Sequence, residues 1–216
     1  MIKENLDRIK KQLPKGVQLV VVSKFRSIHQ LNEVYEAGER NFAENRVQEL
    51  VTKYQELPKD IQWHLIGHLQ TNKVKYIAPF VALIHSVDSV ELALEINKQA
   101  LKNNRVIPVL VQFHVAKEES KFGVDPRNGD AVMSEMMALK NIEIKGIMGM
   151  ATHTDDKNLI REEFQQLHSI YNNYKNTFFN NISGFDTLSM GMSSDYLIAI
   201  EEGSNLVRIG SLVFEE

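Results

Sequence analysis

Eight short apolar runs alternating with amphipathic stretches predict an α/β protein. The expected fold is a (β/α)8 TIM barrel forming a single domain, residues 1–216, with an extra helix at its amino-terminal end. The alternation implies parallel strands joined by right-handed crossovers, and eight such strands are the number that closes a barrel. No helical pattern follows the last run, where the chain stops at Phe214-Glu215-Glu216, and the leading amphipathic segment Ile2–Leu13 is placed to cover that part of the outer ring. With 216 residues the barrel is a reduced one, since the fold typically takes about 250 and at the low end about 200. An open doubly wound sheet with a phosphate crevice is the alternative.

The elements follow in order. Val17–Ser23, Asn41–Ala43, Gln62–Ile66 and Ala82–Ser86 are the first four candidate strands, the second being short. Ile107–Phe113, Glu143–Met148, Thr187–Met190 and Leu206–Ile209 are the other four. Between the fourth and fifth lies Val90–Lys102, whose Val90, Leu92, Ala93, Leu94, Ile96, Ala100 and Leu101 leave a polar face at Glu91, Glu95, Lys98 and Lys102. In Leu159–Tyr174 the residues Ile160, Phe164, Leu167, Ile170, Tyr171 and Tyr174 recur at helical spacing. Asp88 or Ser89 before the first helix, and Asp155 or Asp156 before the second, are the expected N-caps. Asp195–Glu202, closed by Gly203, reads as a short helix. Glycine and proline together number 16, too few for a flexible hinge.

Composition excludes several classes of function. Net charge is −3, and lysines and arginines are scattered, so no basic stripe points to nucleic acid or an anionic membrane. The absence of cysteine removes disulfides, thiolate zinc sites, iron–sulfur clusters and cysteine nucleophiles. No apolar run approaches the roughly 20 residues needed to span a bilayer. The charged start, Met1-Ile2-Lys3-Glu4-Asn5-Leu6-Asp7-Arg8, lacks the apolar core of a signal peptide. A cytoplasmic protein is expected, and a monomer.

The chemistry collects at strand ends. Lys24 follows Leu19-Val20-Val21-Val22-Ser23, so a cation stands where an apolar run leaves the core. A lysine amine has a pKa of about 10.4; burial near apolar walls and near a second cation such as Arg208 is expected to lower it and free the lone pair. A solvated strand-end lysine is the ordinary alternative. In a barrel the loops after strands seven and eight often hold phosphate. Here they are Met190-Gly191-Met192-Ser193-Ser194 and Arg208-Ile209-Gly210-Ser211. Gly191 and Gly210 let backbone approach an anion, Ser193 and Ser211 add hydroxyl donors, and the start of the 195–202 helix would face the phosphate. Ordinary turn chemistry uses the same residues. A lysine and two phosphate loops together point to a phosphorylated carbonyl compound held as a Schiff base, a description that pyridoxal 5′-phosphate fits.

Arg208 either faces the pyridine nitrogen, where a guanidinium discourages ring protonation and weakens the electron sink, or contacts the phosphate. Asn45, His64, His85 and His153 fall near predicted strand ends and are candidate pocket walls. Met148, Met150, Met190 and Met192 are expected to pack the barrel or the cofactor's faces. His64 and His68 lie four apart, but Gly67 and the strand context break the spacing of a helical zinc pair, and no acidic third ligand is evident, so no metal is expected. The Glu118-Glu119 and Glu201-Glu202 pairs read as solvated surface.

From about Val20 to Phe214 the chain resembles the pyridoxal 5′-phosphate homeostasis proteins, whose fold is like the barrel domain of alanine racemase (fold type III). The resemblance rests on ordered blocks: Val21-Val22-Ser23-Lys24, Ala43-Glu44-Asn45-Arg46-Val47-Gln48-Glu49, the run Trp63 through Lys73, His85-Ser86-Val87-Asp88-Ser89 and Glu118 through Gly123. Gly146-Ile147-Met148-Gly149-Met150, Leu188 through Ser193 and Val207-Arg208-Ile209-Gly210 complete it. It implies that Lys24 carries the internal aldimine, that Arg208 lies by the pyridine nitrogen, and that Ser193, Gly210 and Ser211 hold the phosphate. With the pocket residues, the expected cofactor-binding set is Lys24, Asn45, His64, Met148, Ser189, Met192, Ser193, Arg208, Gly210 and Ser211. Two departures bear on loop shape. Phe25-Arg26 follows the lysine where many relatives have Thr-Lys-Pro or similar, and Ala43 stands where Gly-Glu-Asn is usual.

Racemising an amino acid needs acid/base groups on both faces of the cofactor. Lys24 serves one. In alanine racemases the other is a tyrosine positioned with the help of a second domain, for which six residues after Gly210 leave no length. None of tyrosines 35, 54, 76, 171, 174 and 196 falls at a predicted strand end, although Tyr196 closely follows the phosphate loop. The expected role is a carrier that binds, buffers and delivers pyridoxal phosphate to apo-enzymes, with no catalytic residue. A weak amino-acid racemase is the alternative, and a lysine-dependent aldolase a third reading.

Overall fold

Alternate residues of the first strand point to opposite sides, and both sides are apolar. In the computed structural model, which describes residues 1–118 and 122–215, β1 (Gln18–Val22) sends Val20 and Val22 into one cluster and Leu19 and Val21 into another. A strand apolar on both faces must be covered on both. The chain does this by closing on itself. After β1 come β2 (Asn41–Glu44), β3 (Gln62–Leu65), β4 (Leu83–Val87), β5 (Ile107–Gln112), β6 (Ile142–Met148), β7 (Thr187–Met192) and β8 (Leu206–Ile209). Neighbours pair in parallel in sequence order, and Leu19↔Val207 and Val21↔Ile209 join β1 to β8. The barrel expected from the sequence is the fold observed, and the open sheet is excluded. The last strand has the limits expected, and those of the others differ by one or two residues.

The outer ring contains α1 (Ile2–Gln12), α2 (Ile28–Glu36), α3 (Val47–Glu56), α4 (Val74–Ile77), α5 (Val90–Lys102), α6 (Gly129–Met137), α7 (Lys157–Asn176), α8 (Tyr196–Glu201) and α9 (Ser211–Phe214). Of the alternative N-caps, Ser89 accepts from the Leu92 N–H, and Asp156 from those of Asn158 and Leu159. The short α9 corrects the expectation that nothing helical follows the last strand. Four residues carry too little periodicity to announce a helix. α1 packs beside it: Asn5 Nδ2 donates to the Val213 carbonyl at 3.3 Å and to that of Glu215 at 2.9 Å.

The surface differs from expectation at its acidic pairs. Arg161 bridges Glu201 and Glu202, the latter largely shielded, so this pair ties α7 to α8. Glu118 accepts the His153 N–H at 2.8 Å. Glu119, with Ser120 and Lys121 of the same sequence block, lies outside the described residues. Among the described residues no helix is long and apolar enough to cross a membrane.

Candidate functional site

The inner face of the barrel is apolar where Val20, Ala43, Leu83, Leu110, Met148 and Leu206 meet. Four strands add polar groups to this interior, and those groups are bonded in series. His64 Nδ1 on β3 lies 2.9 Å from His85 Nε2 on β4, and His85 Nδ1 lies 3.0 Å from Ser189 Oγ on β7. Arg208 on β8 donates from one terminal nitrogen to Ser189 Oγ at 2.6 Å and from the other to the Gly149 carbonyl at 3.1 Å. All four side chains are buried. Burial lowers the His64 pKa to about 4 and that of His85 well below its ordinary value, the charges of His64 and Arg208 adding to the latter. Both imidazoles are therefore neutral at pH 7. Burial also lowers Arg208 to about 10 against the opposing pull of Asp195, so it stays cationic.

Above this chain the ends of β7 and β8 meet. Ser193 Oγ accepts the Gly210 N–H at 3.2 Å, which joins the two loops expected to hold phosphate. Ser211, next to Gly210, is exposed at the start of α9. A Cβ on Gly210 would lie 3.0 Å from the Val22 carbonyl oxygen, so its backbone abuts the end of β1. Gly191 answers a different need. Its φ is +96°, and a Cβ there would stand 2.6 Å from the Ala199 Cβ, so glycine is required by the packing of α8 rather than by an anion. The start of α8 departs from expectation too. Asp195 is buried at its N-cap and accepts the Met192 N–H at 2.6 Å, which puts a carboxylate where phosphate-facing amides were expected.

Lys24 lies in a turn two residues beyond β1 and is exposed. Burial beside a second cation, expected from the sequence, is not what the structure has. Arg208 pairs in register with Val20, four residues before Lys24, and is enclosed in the barrel. The apolar run that precedes Lys24 ends inside the barrel, and the chain has already turned outward when the lysine arrives.

The structure thus brings Lys24, Ser193, Gly210 and Ser211 to the rim where β1, β7 and β8 converge, with His64, Ser189 and Arg208 in the interior. Met148 packs with Val22 and Ala43 inside the barrel, and half-buried Met192 and Asn45 lie at the ends of β7 and β2. His153 is exposed, and His68 pairs with Asp88 at 3.3 Å, away from His64, so the two histidines four apart diverge. Among the described residues no three His, Asp or Glu side chains are grouped to hold a metal. Sequence reasoning missed a buried Lys53–Glu44 ion pair of 2.6 Å beneath the Lys24 turn. A lysine in an amphipathic helix gives no sign that it points inward. A cavity of about 450 Å³ opens at the opposite end of the barrel between Lys10, Gly16, Gly38 and Arg40, remote from these groups.

The profile of the alanine racemase N-terminal domain family matches residues 1–216. A pyridoxal phosphate homeostasis protein of Aquifex aeolicus is 42% identical over 187 residues, 86% of this chain and 81% of the relative. Its namesake in Schizosaccharomyces pombe is 35% identical over 97% of this chain and 90% of its own. The chain belongs to the pyridoxal phosphate homeostasis protein family. PipY of Synechococcus elongatus, solved with PLP bound, superposes with a TM-score of 0.91 at 34% identity, covering 99% of this chain and all of that one. An alanine racemase of Clostridium difficile shares the fold, with a TM-score of 0.84 at 15% identity; the match spans this whole chain but 59% of the racemase.

Proposed function

We propose that this protein binds pyridoxal 5′-phosphate through Lys24 as a Schiff base, holds it, and releases it to apo-enzymes. The observation that carries this reading is the placement of an exposed lysine at the rim, beside the Ser193–Gly210 edge and above a buried arginine. Bound there, the cofactor supplies an aldehyde that condenses with a primary amine. Its aldehyde and ring nitrogen lie at opposite ends of the ring, which suits a lysine at the rim and a guanidinium in the interior. Ser193, Gly210 and Ser211 supply the donors for the phosphate. Arg208, protonated and bonded to neutral acceptors, keeps a hydrogen-bond donor rather than a carboxylate at the ring nitrogen and so discourages ring protonation.

The tyrosines favour a carrier over a racemase. The Tyr196 hydroxyl is turned to Gln12 of α1, and that of Tyr35 to Asp60. The proposal also takes the protein to be cytoplasmic and monomeric.

Borohydride reduction of the loaded protein, followed by peptide mass spectrometry, tests the proposal. The adduct is expected on Lys24, and Lys24→Ala should abolish it with the fold intact. An adduct on Lys73 overturns the site. In deuterated water with L-alanine, no measurable D-alanine is expected, and the cofactor should pass to an apo-enzyme in excess. D-Alanine formed at about 1 per second or faster replaces the carrier with a racemase.

A further inference from the structure

The turn that carries Lys24 is held from both sides by a buried lysine and its two carboxylates. The Ser23 carbonyl accepts the Arg26 N–H at 3.1 Å, which closes the turn, and Phe25 at its third position has φ 63°. A bulky residue in this left-handed region is strained. Phe25 is 75% exposed, so burial of its ring does not offset the strain. Other groups hold the shape. Lys53 Nζ donates to the Ser23 carbonyl at 2.8 Å and to Glu44 Oε1 at 2.6 Å, and the Ser23 hydroxyl donates to the same Glu44 oxygen at 2.6 Å. Glu49 Oε2 accepts the Phe25 N–H at 3.3 Å and lies 3.5 Å from Lys53 Nζ. The residues before and after Lys24 are thus both tied to Lys53 and its two carboxylates.

Stability does not account for this arrangement. A buried ion pair is commonly no better for stability than apolar side chains of the same size. Here Glu44 Oε2 is buried without a hydrogen-bond partner, and burial raises the Glu44 pKa despite the bonds from Lys53 and Ser23. What the network fixes is backbone, on either side of one exposed lysine.

Resting on the reading that Lys24 forms the covalent link, we propose that Lys53, with Glu44 and Glu49, is a positioning group that aims Lys24 at the bound aldehyde. When the link forms, the neutral Lys24 amine adds to the aldehyde carbon, a C=N bond replaces the C=O bond, and the oxygen leaves as water with the two amine protons. Lys53 takes no part in that exchange. It fixes the Lys24 Cα so that Nζ reaches the carbon, and a misplacement of 1 Å costs on the order of 100-fold in such a step.

The double variant Glu44→Gln/Lys53→Met removes both charges and so leaves neither unpaired. Covalent binding is read by absorbance and by borohydride trapping at saturating pyridoxal phosphate. Occupancy of the pocket is read with 4′-deoxypyridoxine 5′-phosphate, which has no aldehyde. The expected result is a covalent rate at least tenfold slower with affinity for the deoxy compound unchanged. Glu49→Ala, on the surface side of α3, should slow the covalent step in the same selective way if the double variant does not fold. Wild-type covalent rates in whichever variant folds, or equal losses of rate and deoxy-compound affinity, overturn the proposal. If wild-type protein carries its adduct elsewhere than Lys24, the underlying reading fails instead.

Discussion

Two cations are buried beside the mouth of the barrel, and their partners differ in kind. Lys53, under the β1 turn, lies 2.6 Å from the Glu44 carboxylate and has Glu49 beyond it. Arg208, in the barrel, is bonded to a hydroxyl and a carbonyl, while Asp195 acts on it only through its field. The first charge is neutralised where it stands, and its bonds end on backbone. The second keeps its charge among neutral acceptors, and among the described residues only two of a guanidinium's five N–H donors are taken up. A paired cation serves as a clamp. A cation among neutral acceptors keeps field and donors unspent.

Removing each cation alone is the strongest way to break this contrast. Lys53→Met leaves a buried carboxylate without its partner and should cost about 3–5 kcal/mol in denaturant unfolding. Arg208→Met leaves only neutral acceptors bare and should cost about 1–3 kcal/mol. Equal losses would mean that the two cations are held alike.

The neutral partners of Arg208 extend to His64, and acid should find them. Well above pH 6.5 this imidazole is neutral folded and unfolded, so it adds no slope. As pH falls from 6.5 towards 4 the unfolded chain takes up the proton first, because burial holds the folded pKa at about 4. The folded state should lose about 3 kcal/mol over that window, at 1.36 kcal/mol for each pH unit of difference. Unfolding curves of wild type and His64→Gln, measured from pH 7 to 4, should converge by that amount. Parallel curves would show that His64 charges within the fold.

How much of this was legible beforehand follows from the same physics. The strands were, because an apolar run is a local property, and so were the serines and glycines that end β7 and β8. The bonding of His64 to His85, Ser189 and Arg208 was not. Each falls near a predicted strand end, but which inner-face residues meet is set by register around the barrel. Lys53 was invisible for a simpler reason. Its neighbours in sequence describe an ordinary helix, and its partner Glu44 comes from another element. Lys24 is exposed although four apolar residues and Ser23 before it are buried, because the chain turns out of the barrel one residue before the lysine.

Smaller changes sharpen the contrast at the rim. Ser193→Ala removes one hydrogen bond to a charged acceptor, worth roughly 1.5–3 kcal/mol, and should weaken pyridoxal phosphate binding about tenfold or more. Binding of unphosphorylated pyridoxal should stay the same; equal losses would remove Ser193 from the phosphate. Phe25→Gly should relieve a left-handed backbone, raising stability by about 1 kcal/mol in thermal unfolding. A loss of stability would show that the ring, not the backbone, holds that turn.

The hydrogen bonds from Asn5 to Val213 and Glu215, 208 and 210 residues away, lie at the seam where β1 meets β8. The same seam divides the proposed site, with Lys24 on one side and Arg208, Gly210 and Ser211 on the other. Contacts of such sequence separation bear the largest loop-closure entropy and form slowly. During synthesis the lysine emerges well before its counterparts, which lie more than 180 residues further along the chain. A nascent chain therefore cannot sequester the ligand, and a partly folded one presents only a solvated amine. On the proposed reading, binding at this site reports that the barrel has closed.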